Sequence, residues 1–484
     1  MNGKLLTIHS FINKLPPSVP ISLIVINCIL YEWWGFFELE SLQPFVVSFK
    51  IAIPLFLLLI VYPCNFHFTP FKRFIYFFAI FMVWGAISTI FSNFFMEGIS
   101  QWAKFFFRFI FCIAVCLYFI KRPTSHQLII MKILVIVAVA TVVQYFILEM
   151  TSLMGWVENG INLKSHSGGV YYGPFGVLGN GTAQFSSFYK VPKFQIQGFW
   201  VEPSNASAFL FMASFIAEAL YIETQKKMWM IASGICCIGG IFAFSNAGYF
   251  ALGFALLTGQ IVYFICGNKN RALRVVLPRA IAYHFLMATS IFLILFSLFG
   301  RYAVIKYIPN SNTLKAITGV RGELLNMVPA SGQAPAPNIK AITIDDTMMK
   351  RGELAGRCFG ISFYKIIMGE GFRITGVDSK GRGVVVSASA PVMWLFFTGI
   401  IGLIILLLRE SKVILGFISA FPPSAYQLRI FQAWLVLFFQ NMVYGTWMTP
   451  LYFLLIALIF SSLNKQEKSM PLSLHARIGE EIHR

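Results

Sequence analysis

Runs of about twenty mostly apolar residues recur along the chain, and this recurrence limits its fold more than any other feature. A run of that length is what a helix needs to cross the hydrocarbon core of a bilayer. Within hydrocarbon the backbone must satisfy its own polar groups, so runs like these span as helices. Twelve spans are expected, at approximately 20–38, 44–63, 74–95, 99–120, 128–150, 204–222, 228–244, 248–267, 280–299, 388–408, 426–444 and 447–463. Only 12% of the residues are charged and the mean hydropathy is +0.73, whereas soluble domains carry about 25% charge. The expectation is an all-α polytopic membrane protein, a single integral membrane domain over residues 1–484.

A net charge of +19 in a soluble protein would suggest nucleic acid, but the distribution of the charge argues against that partner. Nineteen of the 38 Lys and Arg residues fall in short segments alternating along one side, among them Lys72 and Arg73, Lys121 and Arg122, Lys226 and Lys227, and Arg409, Lys412 and Arg429. This is the positive-inside pattern, with contact to anionic membrane lipids. It predicts cytoplasmic termini, including a tail at 464–484. The first span follows a Pro-containing leader without a small-residue cleavage site and reads as a retained signal anchor. Of eight cysteines only Cys358 is expected outside, so no disulfide framework is expected.

Two connections are long, 151–203 and 300–388, and both are expected on the outer face. The first is rich in Gly, Tyr, Ser and Phe and suggests an irregular or strand-like flap. The second passes through PASGQAPAP and then takes helical spacing from about Met349 to Met368, as an amphipathic helix at the membrane surface. Long loops in compact folds are usually functional. The strings ITGV (317–320, 374–377) and RGEL (321–324, 351–354) each occur twice, and four-residue matches carry no structural conclusion.

The candidates for chemistry are the basic residues in and around the outer face. Lys104 and Arg108 are four apart and share one helix face near its outer end, where a lipid-linked phosphate would lie or where the side chains would snorkel. Lys50 and Lys132 are further basic residues within spans. Fifteen Lys and Arg lie in the two outer loops, including Arg351, Arg357 and Arg373. Arginine matches phosphate oxygens through a planar fork, so this excess asks for an anionic partner. Among the acids, Glu202 directly precedes Pro203 and a helix start at SNAS, where it serves as a base or as a capping carboxylate. Glu370 and His166, the only histidine in the outer loops, are the other candidate bases. No acidic cluster with metal-ligand spacing, Walker loop, GxSxG elbow or Cys/His zinc spacing occurs, so neither a metal nor another cofactor is expected.

Three segments resemble a known family, the O-antigen polymerase (Wzy) and O-antigen ligase group of bacterial integral membrane glycosyltransferases. GFWVEPSNASAF (198–209) is similar to the family's EPS-containing segment. RGELAGRCFGISFYKIIMGEGF (351–372) looks like its external amphipathic helix, with Arg351 at the Arg position and Gly369 and Gly371 forming the GxG turn. TGIIGLIILLL resembles the GxxG span, through Gly399 and Gly402. The ligases carry a His shortly before that span; here Ala388 and Ser389 stand in its neighbourhood, and no His occurs between His284 and His475.

The resemblance therefore implies a polymerase with a GT-C-like arrangement in the bacterial inner membrane, acting without a metal in lipopolysaccharide biosynthesis. Its substrate would be an undecaprenyl-diphosphate-linked oligosaccharide, and a chain-length regulator protein is a candidate partner. Arg351 would hold the donor diphosphate, assisted by Arg357, Arg373, Lys104 and Arg108. Glu202, His166 or Glu370 would take the acceptor proton. A ligase that moves glycan to lipid A core and a transporter of lipid-linked sugars are the alternatives.

Overall fold

The computed structural model describes residues 16–32, 43–61, 69–92, 95–122, 124–153, 163–164, 170–171, 203–243, 245–266, 363–372, 376–377, 383–384, 390–420, 422–443 and 447–469. Twelve helices lie in these residues: α1 (Ser18–Glu32), α2 (Gln43–Val61), α3 (Thr69–Ile90), α4 (Phe95–Lys121), α5 (Thr124–Leu153), α6 (Pro203–Thr224), α7 (Met228–Phe242), α8 (Asn246–Cys266), α9 (Phe363–Met368), α10 (Ala390–Ser419), α11 (Ala425–Val443) and α12 (Pro450–Ser469). Five of them contain segments long and apolar enough to cross a membrane: Thr69–Ile90, Phe95–Lys121, Thr124–Val143, Ser204–Thr224 and Ala390–Ser419. Five more carry shorter apolar segments. The protein is thus a helical membrane protein. The expected span at 280–299 lies outside the described residues, as does nearly all of 151–202 and 300–362.

Two small antiparallel pairings interrupt the helical pattern. Leu163–Lys164 pairs with Val170–Tyr171, and Gly376–Val377 pairs with Gly383–Val384. The first lies within the expected flap at 151–203.

The centre of the bundle is formed by α6, α11 and α12. Along α11 nearly every residue from Ala425 to Leu437 is buried, and α6 is likewise enclosed, touching α5, α7, α8 and α11. A helix enclosed on all sides needs a partner for each polar side chain it carries, and α11 supplies several pairs. Ser424 and Gln427 cap its start reciprocally: the Gln427 N–H donates to Ser424 Oγ (3.2 Å), and the Ser424 N–H donates to Gln427 Oε1 (2.9 Å). This is the capping box legible in the sequence S-A-Y-Q. Further along, Gln432 Nε2 donates to the Ala255 carbonyl, and Gln440 Nε2 to Asn205 Oδ1 at the start of α6 (both 2.8 Å).

Two arginines expected in cytoplasmic connections prove to be interior. Arg429 is buried in α11, 2.6 Å from Glu218 of α6, and donates to Gln432 Oε1. Arg409 lies midway along α10, which continues to Ser419 instead of ending near residue 408. The apolar run resumes after Arg409–Lys412 as VILGFI, and the helix continues through the charged patch because both charges at 409 and 410 find partners inside.

Breaking a buried pair by removing one partner typically costs about 3–5 kcal/mol, whereas replacing both partners with apolar groups is often neutral. Glu218→Ala should therefore lower the melting temperature in detergent sharply, and the double variant Glu218→Leu, Arg429→Met should recover most of the loss. Equal losses in the two proteins would mean that the pair contributes no coupling.

Candidate functional site

The site grows from a defect in α10. At Gly399 the backbone leaves the helical region (φ 65°, ψ −174°), so the thirty-residue helix is two helices joined at a kink. A positive φ of this kind suits glycine, and a Cβ there would strike the Ile367 carbonyl. The carbonyls just before the kink take donors from outside the helix. The Glu370 N–H donates to the Phe396 carbonyl (2.9 Å), and the Gly371 N–H to that of Phe397 (3.0 Å). Ser88 Oγ of α3 donates a second bond to Phe397 (2.8 Å), and Trp84 Nε1 donates to the Thr398 carbonyl (2.8 Å).

The donating turn follows α9, the last part of the large loop, and it fits because of its own glycines. Gly369 (φ 82°) and Gly371 (φ 79°) both occupy the left-handed region. A side chain at Gly369 would meet the Phe397 carbonyl, and one at Gly371 would lie 2.6 Å from Ser92 Cβ. On its other side the turn is tied to α3. Ser92 Oγ donates to the Glu370 carbonyl (2.5 Å), and the Phe372 N–H reaches Thr89 Oγ1 (3.4 Å).

Phe372 anchors the turn. Its ring is fully buried, with centroids 5.3 Å from Phe105, 5.8 Å from Trp394 and 5.6 Å from Phe397. Gly85 of α3 forms the floor, where a Cβ would come within 2.7 Å of the ring. The GxG turn and the GxxG span, noticed separately in the sequence, are thus two halves of one contact.

Beneath this clasp lies a layer of arginines. The Arg108 guanidinium stacks 4.7 Å from the Phe105 ring centroid and donates to the Met448 carbonyl (3.2 Å). Arg409 donates to the neighbouring Trp447 carbonyl (3.1 Å), stands 4.5 Å from the Phe78 ring and is paired with Glu410. Tyr452 Oη donates to the other Glu410 oxygen (2.5 Å). Arg409 is 0% and Glu410 2% exposed, so this trio is a closed, fully desolvated network. The turn it holds folds back into the bundle, with Trp447 stacked on Phe438 at 5.2 Å. Sequence reasoning missed the trio because positive-inside counting assigned Arg409 to a loop. The signal that could have found it is the apolar helix pattern resuming after residue 412.

Of the candidate residues, the structure brings Glu370, Lys104 and Arg108 into one region. Glu370 is half-buried within the clasp, with both its backbone N–H and its carbonyl bonded. Lys104 is exposed, adjacent to Phe105, which packs on Phe372. Arg108 is committed to Met448, which makes it a residue that shapes the site more than a free phosphate ligand. Glu202, His166, Arg351, Arg357 and Arg373 lie outside the described residues. Asn205, three residues beyond Glu202, is held by Gln440, which fastens the start of α6 to α11. No family model, curated protein or solved structure matches the chain.

Truncating a buried Phe leaves a cavity and typically costs about 3–5 kcal/mol. Phe372→Ala should therefore loosen the clasp, and limited proteolysis should cut the 363–372 segment faster than in the wild type while α3 and α4 stay intact. Unchanged cleavage would remove Phe372 as the anchor.

Proposed function

We propose that this protein is a polysaccharide polymerase of the O-antigen type, a membrane glycosyltransferase of the bacterial inner membrane. The observation that carries the reading is the clasp: the end of the most basic loop is fastened beside the α4 face that carries Lys104, at one end of the bundle. The resemblance in the EPS, GxG and GxxG segments supports it from the sequence side. Twelve spans, cytoplasmic termini and two periplasmic loops are part of this proposal.

In the proposed reaction an acceptor sugar hydroxyl on a new lipid-linked repeat unit attacks the anomeric carbon of the growing glycan. The bond from that carbon to the undecaprenyl diphosphate oxygen breaks, and the hydroxyl proton passes to a carboxylate or imidazole. The leaving diphosphate is already anionic, so it needs positive charge more than a proton. Electrostatic stabilisation of developing charge is usually the largest catalytic contribution. Arg351 takes that role, with Arg357, Arg373 and Lys104 around it and Arg108, held on the Met448 carbonyl, shaping the site. Glu202 is the first choice of base, followed by His166 and Glu370; Glu370 has the firmest backbone support.

A second reading, a transporter of lipid-linked sugars, gains one observation: the ion pairs Arg409–Glu410 and Arg429–Glu218 lie inside the bundle, and buried charge in membrane spans often marks a transport path. The first of these pairs is packed against aromatic rings and a backbone carbonyl, which favours a structural role.

A gel of surface glycan from a deletion strain separates the readings. The polymerase reading predicts a single repeat unit on the core, with long chains restored by the wild-type gene. Unattached long polymer would indicate a ligase, and absence of any repeat unit at the outer face a transporter. Arg351→Ala should reach the membrane at normal levels yet reduce long-chain product by about 100-fold, the scale of losing one charge-stabilising donor. Full-length polymer from that variant would remove Arg351 from the mechanism.

A further inference from the structure

The clasp replaces helical hydrogen bonds one for one, and this exchange suggests more than a static joint. In an uninterrupted α-helix the Phe396 and Phe397 carbonyls would accept from the N–H groups of Ile400 and Ile401. Here they accept from Glu370 and Gly371. If the loop left, the Phe396 carbonyl would lose the Glu370 amide, and the Phe397 carbonyl would lose the Gly371 amide while keeping the Ser88 hydroxyl, a loss of backbone partners that an apolar interior disfavours. The residue at the break is glycine, which can hold this positive-φ, extended-ψ conformation and can also take the right-handed helical one. A single change at Gly399 would let α10 satisfy itself.

We propose that α10 and the GEGF turn form a two-state latch: with the turn docked, α10 is broken at Gly399, and with the turn lifted, α10 closes into one continuous helix. Docking of the large loop and breaking of the helix are then a single equilibrium. Closing the helix swings 390–398 relative to 400–419, so the position of the loop and the course of α10 change together. The contacts outside the exchange set the bias. Phe372 in its aromatic cage and Ser92 on the Glu370 carbonyl favour the docked state. The continuous helical ladder favours the lifted one. This latch does not depend on what reaction the protein performs.

The test reads the loop without substrate. In a protein with Cys64, Cys266 and Cys358 changed to Ser, the remaining cysteines Cys28, Cys112, Cys116, Cys236 and Cys237 are all buried. Ser92→Cys then places a thiol beneath Gly371, with an S–H in place of the hydroxyl that bonds the Glu370 carbonyl. Its rate of reaction with a maleimide, compared with that of the same Ser92→Cys protein with Gly369 and Gly399 intact, reports whether the turn is docked. Gly399→Ala forbids the break from the α10 side, and Gly369→Ala disfavours the turn from the loop side. Both should raise labelling at position 92 by about tenfold or more, the scale expected when a docked segment is released. In both variants the five buried cysteines should stay as unreactive as before, because α10 closes on itself. The proposal is overturned if Gly399→Ala leaves position 92 protected, since docking would then not require the break. It is equally overturned if either variant exposes the buried cysteines, since α10 would then be unable to close without the loop.

Discussion

Backbone hydrogen bonds freed inside an apolar bundle must be met, and the organisation around α10 follows from that constraint. Gly399 interrupts the helix, and the carbonyls before it cannot be left without partners where water is excluded. Four donors arrive from two segments: the amides of Glu370 and Gly371 in the loop turn, and the Ser88 hydroxyl and Trp84 indole of α3. Three segments far apart in the chain, α3, the end of the large loop and α10, are tied together by that one requirement. The aromatic cage around Phe372 adds packing to a geometry that the hydrogen bonds already define.

Polar groups deeper in the bundle follow the same logic. Arg108 and Arg409 reach adjacent carbonyls of the turn between α11 and α12, so a turn folded into the bundle is satisfied by side chains from α4 and α10. Glu410 neutralises Arg409 and is itself bonded by Tyr452. On the other flank Glu218, Arg429 and Gln432 form a second chain of partners between α6 and α11. Such networks cost desolvation but leave few alternative packings of the helices involved.

Much of this was legible in the residues, and what was not has physical causes. Apolar runs located the helices to within a few residues, as at α6 and α7, because run length alone decides a span. The start of α3 and the end of α10 moved more. Thr69–Arg73 joins α3 because its basic side chains extend outward at a helix end, and α10 continues past Leu408 because its charges are paired internally. Composition could not reveal that Arg409 and Arg429 are buried, since pairing depends on residues in distant helices. The glycines of GEGF and TGIIG were visible as motifs, but their mutual contact spans roughly thirty residues and depends on positive φ at three of them. Of the candidate site, Lys104, Arg108 and Glu370 gather around the clasp, while the loop arginines and Glu202 are argued from sequence alone.

The central claim is that the large loop is fastened by two backbone amides to a broken membrane helix. Hydrogen–deuterium exchange of the intact protein in lipid nanodiscs tests it most directly. The account predicts that the amides of Glu370 and Gly371 exchange about a hundredfold or more slowly than free peptide, as hydrogen-bonded interior amides do. Exchange of both at the rate of an open loop, with α3 and α10 still protected, would contradict it.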